Sequence, residues 1–364
     1  MQTKIPCTLM RGGTSKGPYF LATDLPADID QRDRVLLAAM GSPHARQIDG
    51  IGGAQHLTSK VAIVSRSERP GIDVDYLFAQ VGITEAVVDT SPNCGNILTG
   101  VGPFAIERGL VTAGDRVTRV RIFNVNTGAA VDAVVQTPGG EVEYEGDAAI
   151  DGVEGTAAPV GLVFRDIVGG NTGGRMFPTG RAREEIDGIP VTLMDAGHPM
   201  VFLRASSMGK TGYESKAALD TDRAFLARLE AVRLEAGRRM GLEHAQALLP
   251  LPTLVASPRT AGGTVSARNF LPRELHSAYG VTQTLCTSSA CVMPETILGE
   301  VVHRRGRDDL HVVIEHASGV IEADVELGRG ADGAVIPAGV GVTRTCRKLF
   351  EGYVLVPHQV WAGA

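Results

Sequence analysis

β-Forming residues recur along the first third of the chain in short runs, each interrupted by Gly, Pro or Asp. Ile5–Met10, Pro18–Ala22, Lys60–Ser65, Val74–Val81 and Val87–Thr90 follow this pattern, which predicts strands. Gln31–Met40 reads as a short helix. Val117–Val125 and Ala129–Thr137 form a predicted hairpin that turns near Asn126-Thr127-Gly128. Further strands are expected at Gly139–Gly146 and Gly161–Phe164. The pattern fades over Asp166–Arg183, rich in Gly and Arg, and a domain crossover is placed there. Strands resume at Ile189–Asp195 and Pro199–Arg204. Thr221–Met240 is the clearest surface helix: Leu226, Leu229, Val232, Ala236 and Met240 recur at helical spacing, with Arg and Glu on the other face.

Two stretches break from this two-faced habit. Ile97–Ile106 carries no charge, and a helix apolar on all sides must be surrounded by protein. Pro103 must kink that helix or sit where its missing N–H does not matter. Thr284–Val302 echoes the first stretch: Cys286, small residues, Cys291, then Pro294 and an apolar continuation. Two buried small-residue helices in two strand-rich halves predict a duplicated architecture.

The length of 364 residues allows two or three domains, and 43% hydrophobic with 21% charged residues is ordinary globular composition. A net charge of −6 gives no support for a nucleic-acid or anionic-membrane partner. The five cysteines, Cys7, Cys94, Cys286, Cys291 and Cys346, are odd in number and form no CxxC pair, so neither a disulfide framework nor a zinc site is indicated. Met1–Leu9 lacks an apolar signal core, and no uncharged apolar stretch reaches the length of a membrane span. The expectation is a reducing, cytoplasmic enzyme or binding protein.

Chemistry concentrates at a few places. Asn93-Cys94-Gly95-Asn96 sets one thiol among small polar residues at the predicted start of the buried helix. A cysteine there gains thiolate character as a base or nucleophile, and the Gly95 and Asn96 N–H groups can receive a carboxylate. The alternative is a small buried hydrophobe, for which the polar company has no use. Lys60 stands at a strand mouth after the flexible Gly50-Ile51-Gly52-Gly53; it is a solvated lysine there, or a base if it enters an apolar pocket. Arg11-Gly12-Gly13-Thr14-Ser15-Lys16-Gly17 is either a plain turn or a nest for a carboxylate or phosphate, with Arg11, Thr14 and Ser15 as added donors. It lacks the Walker A spacing. Arg268, His276, the turn His316-Ala317-Ser318-Gly319 and Asp195-Ala196-Gly197-His198-Pro199 are each ordinary surface chemistry or part of a site. No GxSxG, HExxH or GxGxxG sequence occurs, which removes the usual support for serine-hydrolase, zincin and Rossmann readings.

Taken together, residues 11–17 (RGGTSKG), 49–61 (DGIGG…TSKV), 93–96 (NCGN), 315–319 (EHASG) and 351–357 (EGYVLVP) resemble the PrpF family of the diaminopimelate-epimerase-like superfamily. Within it, RGGTSKG, ARQIDGIGG, VDYLFAQV and NCGNIL resemble the branch that tautomerises 4-oxalomesaconate in gallate degradation. The resemblance implies an α+β fold of two pseudo-symmetric, barrel-like domains, each wrapped around a central helix, with the active site in the cleft between them. The expected domains are residues 1–182, joined by the returning segment 348–364, and residues 183–347. It also implies Cys94 and Lys60 as the acid/base pair and no cofactor or metal. Epimerases of the superfamily use two cysteines; Cys286 lies near the second position but lacks the Cys-Gly-Thr-Gly context, which argues against amino-acid epimerisation. Arg11, Thr14, Ser15, Ser59, Gly95, Asn96, Arg268, His276, His316, Ser318 and Gly319 are the expected holders of substrate carboxylates. The expected partner is a small di- or tricarboxylate, with a homodimer as the assembly. A 2-methylaconitate-type allylic isomerase, a Cys94-dependent thiol hydrolase and a non-catalytic carboxylate binder are the competing readings.

Overall fold

Alternating burial turns most of these runs into strands, and the computed structural model describes residues 1–363 except 243–248, 272, 277, 305, 307–309, 331 and 332. The chain forms two units, Met1–Val163 with Thr343–Ala364, and Phe164–Val342. The division falls before the Gly/Arg-rich segment, which belongs to the second unit.

Unit 1 is built from β1 (Gln2–Gly12), β2 (Ser15–Leu21), β3 (Lys60–Arg66), β4 (Val74–Val81), β5 (Val88–Asp89), β6 (Val117–Asn124), β7 (Ala129–Gln136) and β8 (Pro159–Arg165). Unit 2 carries β9 (Glu184–Ile186), β10 (Ile189–Asp195), β11 (Pro199–Arg204), β12 (Leu251–Ala256), β13 (Val265–Asn269), β14 (His311–His316) and β15 (Gly319–Arg329); β16 (Val335–Pro357) then brings the chain back into unit 1. The helices are α1 (Ile29–Met40), α2 (Gly95–Leu98), α3 (Val101–Glu107), α4 (Lys216–Asp220), α5 (Arg223–Arg239) and α6 (Val281–Val292).

In unit 1 the strands run β1-β2-β3-β4-β6-β7-β8-β16, and β16 pairs back to β1, so the sheet closes on itself. The expected duplication is visible in strand polarity. In unit 1, β1–β2 is antiparallel, β2–β3 parallel, β3–β4 antiparallel, β4–β6 parallel and β6–β7 antiparallel. In unit 2, β10–β11, β11–β12, β12–β13, β13–β14 and β14–β15 repeat that series in order. Within these matching series, a surface helix follows β2 or β11, namely α1 or α5, and the apolar helices follow β4 and the short β5, or β13, namely α2–α3 or α6. The fold is diaminopimelate-epimerase-like.

β3, β10, β11 and β12 are covered on both faces, which explains why so many of their positions are apolar in both registers, whereas β6 and β15 expose alternate residues. In unit 1, Val61, Ile63, Ala79 and Val81 join Val35, Leu36, Ala39 and Met40 of α1 in one core. The residues between them, Ala62, Val64, Tyr76 and Phe78, are buried on the opposite face. α3 packs against β6 and β7. In unit 2, Leu229, Val232, Ala236 and Met240 of the amphipathic segment pack with Val191, Leu193, Val201 and Leu203. Asp28 and Asp222 cap α1 and α5 by accepting from Gln31 N and Phe225 N.

The uncharged run is two short helices rather than one. The break falls at Thr99-Gly100, and Pro103 then lies in the first turn of α3, where no intrahelical partner exists for an N–H. The strand expected over Gly139–Gly146 does not form. A short 3-10 turn occupies Pro138–Gly140, and Gly139 and Gly140 take φ of 68° and 84°, incompatible with extended backbone. The second small-residue helix ends at Val292, before Pro294. Among the described residues no helix is long and apolar enough to cross a membrane.

Candidate active site

Cys94 is the N-cap of α2, with φ −139° and ψ 99°. Its Sγ accepts from Ile97 N at 3.5 Å, and its carbonyl accepts from Leu98 N at 3.0 Å and the Tyr76 hydroxyl at 3.3 Å. Burial, then the neighbouring Cys94, pushes the Tyr76 phenol well above its ordinary range, so it stays a donor. Among the described residues, neither Gly95 N nor Asn96 N donates a hydrogen bond, as expected for the first amides of a helix.

Lys60 opens β3 and is 5% exposed. Its Nζ donates to Gln80 Oε1 at 2.8 Å and lies 5.0 Å from the centre of the Phe78 ring. The Gln80 amide is fixed by its own donors, which reach Ser59 O at 2.8 Å and His56 O at 3.2 Å. Register explains the contact, since Lys60 pairs with Gln80 across the β3–β4 ladder. Tyr76, Phe78 and Gln80 alternate along β4 and so share one face. One strand face therefore holds both candidate groups, the Cys94 carbonyl at one end and the Lys60 ammonium at the other. Burial, then the Lys60 charge, lowers the pKa of His56.

The Arg11–Gly17 loop meets the Cys94 segment directly. Asn96 Oδ1 accepts from Thr14 N at 3.4 Å, and Asn96 Nδ2 donates to Thr14 Oγ1 at 3.2 Å. Gly12 and Gly13 make this possible: a Cβ on either would collide with Asn96. Ser15 is 2% exposed, and among the described residues its Oγ has no hydrogen-bond partner. Arg11 Nη1 is committed to Gly13 O, Thr345 O and Thr345 Oγ1, at 2.9, 2.9 and 3.1 Å. Ser59 spends its hydroxyl proton on Val81 O at 2.8 Å and accepts from Gln47 Nε2 at 2.8 Å. Both pin the loops that present Thr14 and Lys60.

Arg268, His276, His316, Ser318 and Gly319 lie in unit 2. Arg268 is 7% exposed and donates to Glu214 O, Ala267 O and Glu315 O at 3.1, 3.0 and 3.4 Å. Burial lowers its pKa, against the pull of Glu214 and Glu315. His316 packs 6.1 Å from the Tyr279 ring, and its Nδ1 is 3.3 Å from both Ser318 N and Ser318 Oγ. Gly319 closes the β14–β15 turn opposite His316. His276 Nδ1 accepts from Ala278 N at 3.0 Å, and burial followed by Lys216 lowers its pKa. The unit thus gathers Arg268 and His316 around the ends of β13 and β14, with His276 beyond β13.

Cys286 and Cys291 are 0% and 1% exposed, and burial pushes both thiols far up. Cys286 lies inside α6, whereas the capping position that Cys94 holds on α2 is Gly280 on α6. The two-thiol arrangement of an epimerase therefore has no second member at a helix start here.

The PrpF protein family matches residues 2–357. The chain belongs to the PrpF family. A 4-oxalomesaconate tautomerase of Pseudomonas putida is 49% identical over 100% of this chain and 99% of that protein. A (4E)-oxalomesaconate Delta-isomerase of Novosphingobium is 50% identical over 96% of this chain and 97% of its own length. The crystal structure of a methylitaconate-delta-isomerase superposes with a TM-score of 0.90 at 39% identity, covering 100% of this chain and 98% of that one. The crystal structure of a probable proline racemase from Agrobacterium radiobacter, TM-score 0.52 at 13% identity over 97% of this chain and 93% of that one, shares the fold. This PrpF protein is an isomerase.

Gln80, Tyr76 and His56 are the residues sequence reasoning missed. The strand alternation of Val74–Val81 carried a signal for the first two: each is a polar or hydroxyl-bearing residue on an otherwise apolar face. Gln80→Leu removes the acceptor of a charged donor and is expected to lower kcat about tenfold with the fold retained. Steady-state rates beside a melting curve check this, and an unchanged kcat removes Gln80 from the site.

Proposed function

We propose that the protein isomerises 4-oxalomesaconate in the degradation of gallate and related aromatic acids, with Lys60 and Cys94 as the acid/base pair. The observation that carries this reading is the shared β4 face: Tyr76 holds the Cys94 main chain while Phe78 and Gln80 hold the Lys60 ammonium. The substrate ketone acidifies the neighbouring C–H. One group removes that proton, the electron pair moves onto the carbonyl oxygen as an enolate, and the other group returns a proton to oxygen or to the far carbon of the double bond. The ketone itself acts as the electron sink, so the reaction needs no added cofactor. The free Gly95 and Asn96 amides and the Thr14–Asn96 clasp are suited to a carboxylate. Two relatives of nearly equal identity, one named a tautomerase and one a Delta-isomerase, support the substrate. They leave both proton destinations open.

A second reading, allylic isomerisation of a methylated polycarboxylate, is favoured by the high structural similarity to the methylitaconate-delta-isomerase. The same two groups serve it. Incubation with keto 4-oxalomesaconate in D₂O, followed by ultraviolet absorbance and proton NMR, separates the two. Enzyme-dependent tautomerisation or exchange at one carbon is expected. No exchange by folded protein rejects this substrate and moves methylitaconate and 2-methylaconitate to the front.

A further inference from the structure

Arg344 stands apart from Lys60, the other buried cation among the described residues of unit 1. It is 7% exposed, and its Nε is buried without a hydrogen-bond partner among the described residues. Among the described residues no carboxylate forms an ion pair with it. Among the described residues, Asp151, on an exposed turn, is the one charge acting appreciably on it. Burial, offset by Asp151, brings its pKa down to about 10, so the guanidinium is charged at neutral pH. A guanidinium whose Nε is buried without a hydrogen bond is costly, and folded proteins seldom keep one without a reason.

Strand register fixes which way it points. Ser15 pairs with Gly12, and Gly12 pairs with Cys346. Opposite residues of antiparallel strands share a face. That face is the one on which a Cβ at Gly12 would meet the Asn96 carbonyl, beside Cys94. Arg344 is two residues from Cys346 on β16 and shares the face, one pleat repeat or roughly 7 Å further on. Gly13 N donates to Thr345 O at 2.9 Å, which sets the Gly13-Thr14 turn level with Arg344. The Asp151 turn comes to the same place: a Cβ on Gly152 would lie 3.1 Å from Thr14 Cγ2. Ser15 adds the second buried polar atom without a partner on this face.

We propose that Arg344 anchors one carboxylate of the substrate, with the Ser15 hydroxyl as a neutral donor on the same sheet face. A carboxylate matches the guanidinium fork with two parallel hydrogen bonds. It also supplies the charge that the folded protein withholds. The assignment rests on the polycarboxylate reading above and deepens it. Arg344 binds and positions; it does not move the proton.

The test uses the full chain, Arg344→Met, Arg344→Lys, and tricarballylate as an unreactive tricarboxylate. Calorimetry is expected to show tricarballylate binding weakened by at least about 30-fold in Arg344→Met, the scale of a lost buried charge pair, and less in Arg344→Lys. The KM for 4-oxalomesaconate should rise in parallel, with kcat changing by less than about tenfold. Ligand-free Arg344→Met should melt higher than wild type, because an uncompensated charge has gone. A purely structural arginine gives the opposite sign, so a lower melting temperature overturns the assignment. Affinity and KM within about threefold of wild type in both variants overturn it as well. Wild type that neither turns over 4-oxalomesaconate nor binds tricarballylate sinks the polycarboxylate reading itself. Wild type that does, beside unaltered variants, sinks only the role of Arg344.

Discussion

Cys94→Ala and Lys60→Met are each expected to lower kcat by at least about 10²-fold, the scale of a lost general acid or base. Cys94 caps α2 through Sγ, a sulfur–amide contact of 3.5 Å that alanine removes at small cost to folding. Lys60→Met keeps an apolar side chain of similar length and deletes the ammonium that lies over Phe78 and donates to Gln80. Neither change should melt the protein, so the loss should appear as rate, with circular dichroism and melting temperature close to wild type. If the two groups act on one proton path, the double variant should be little worse than either single one. Single-turnover rates with 4-oxalomesaconate, measured beside solvent deuterium exchange, check each of these statements. Near-wild-type turnover in both single variants would refute the pair.

Gly17→Ala should have the largest effect on stability among conservative changes near the site. A Cβ there would collide with the Lys60 carbonyl oxygen and lie 2.7 Å from its carbon, both backbone atoms that cannot swing aside. β2 and β3 run parallel from Tyr19 and Ala62 onward, so relief requires the start of the ladder to separate. The expected cost is about 3 kcal/mol, at the upper end for overpacking one methyl group. The same displacement moves Lys60 at the strand mouth, so kcat should fall together with the urea midpoint. An unchanged midpoint in Gly17→Ala would mean that β2 and β3 can part there at no cost.

Local features of the chain were legible before any fold was known. Short runs of β-forming residues marked β3, β4, β6, β7, β10 and β11, because a strand covered on one face or both writes its burial into neighbouring residues. The absence of charge over Ile97–Ile106 marked the enclosed helices, because no part of their surface meets water. Cys94 and Lys60 were visible as reactive types in unusual company, and the motif combination identified the family. The expected strand over Gly139–Gly146 failed where two successive glycines take positive φ, a preference that alternation does not record.

What tertiary structure alone decided is who meets whom. Gln80 receives Lys60 because of ladder register, and Tyr76 reaches Cys94 across 18 residues of sequence. Arg11 and Ser59 looked like free donors, yet their hydrogen bonds go to Thr345 and Val81. Arg344 carried no signal at all, since only the return of β16 beside β1 brings it level with Thr14. By itself the sequence determined the elements, their two-faced burial and the family, because these depend on neighbours a few residues away. The partners of each buried polar group were decided by the closed sheet, because desolvation and hydrogen bonding act through space between segments far apart in the chain.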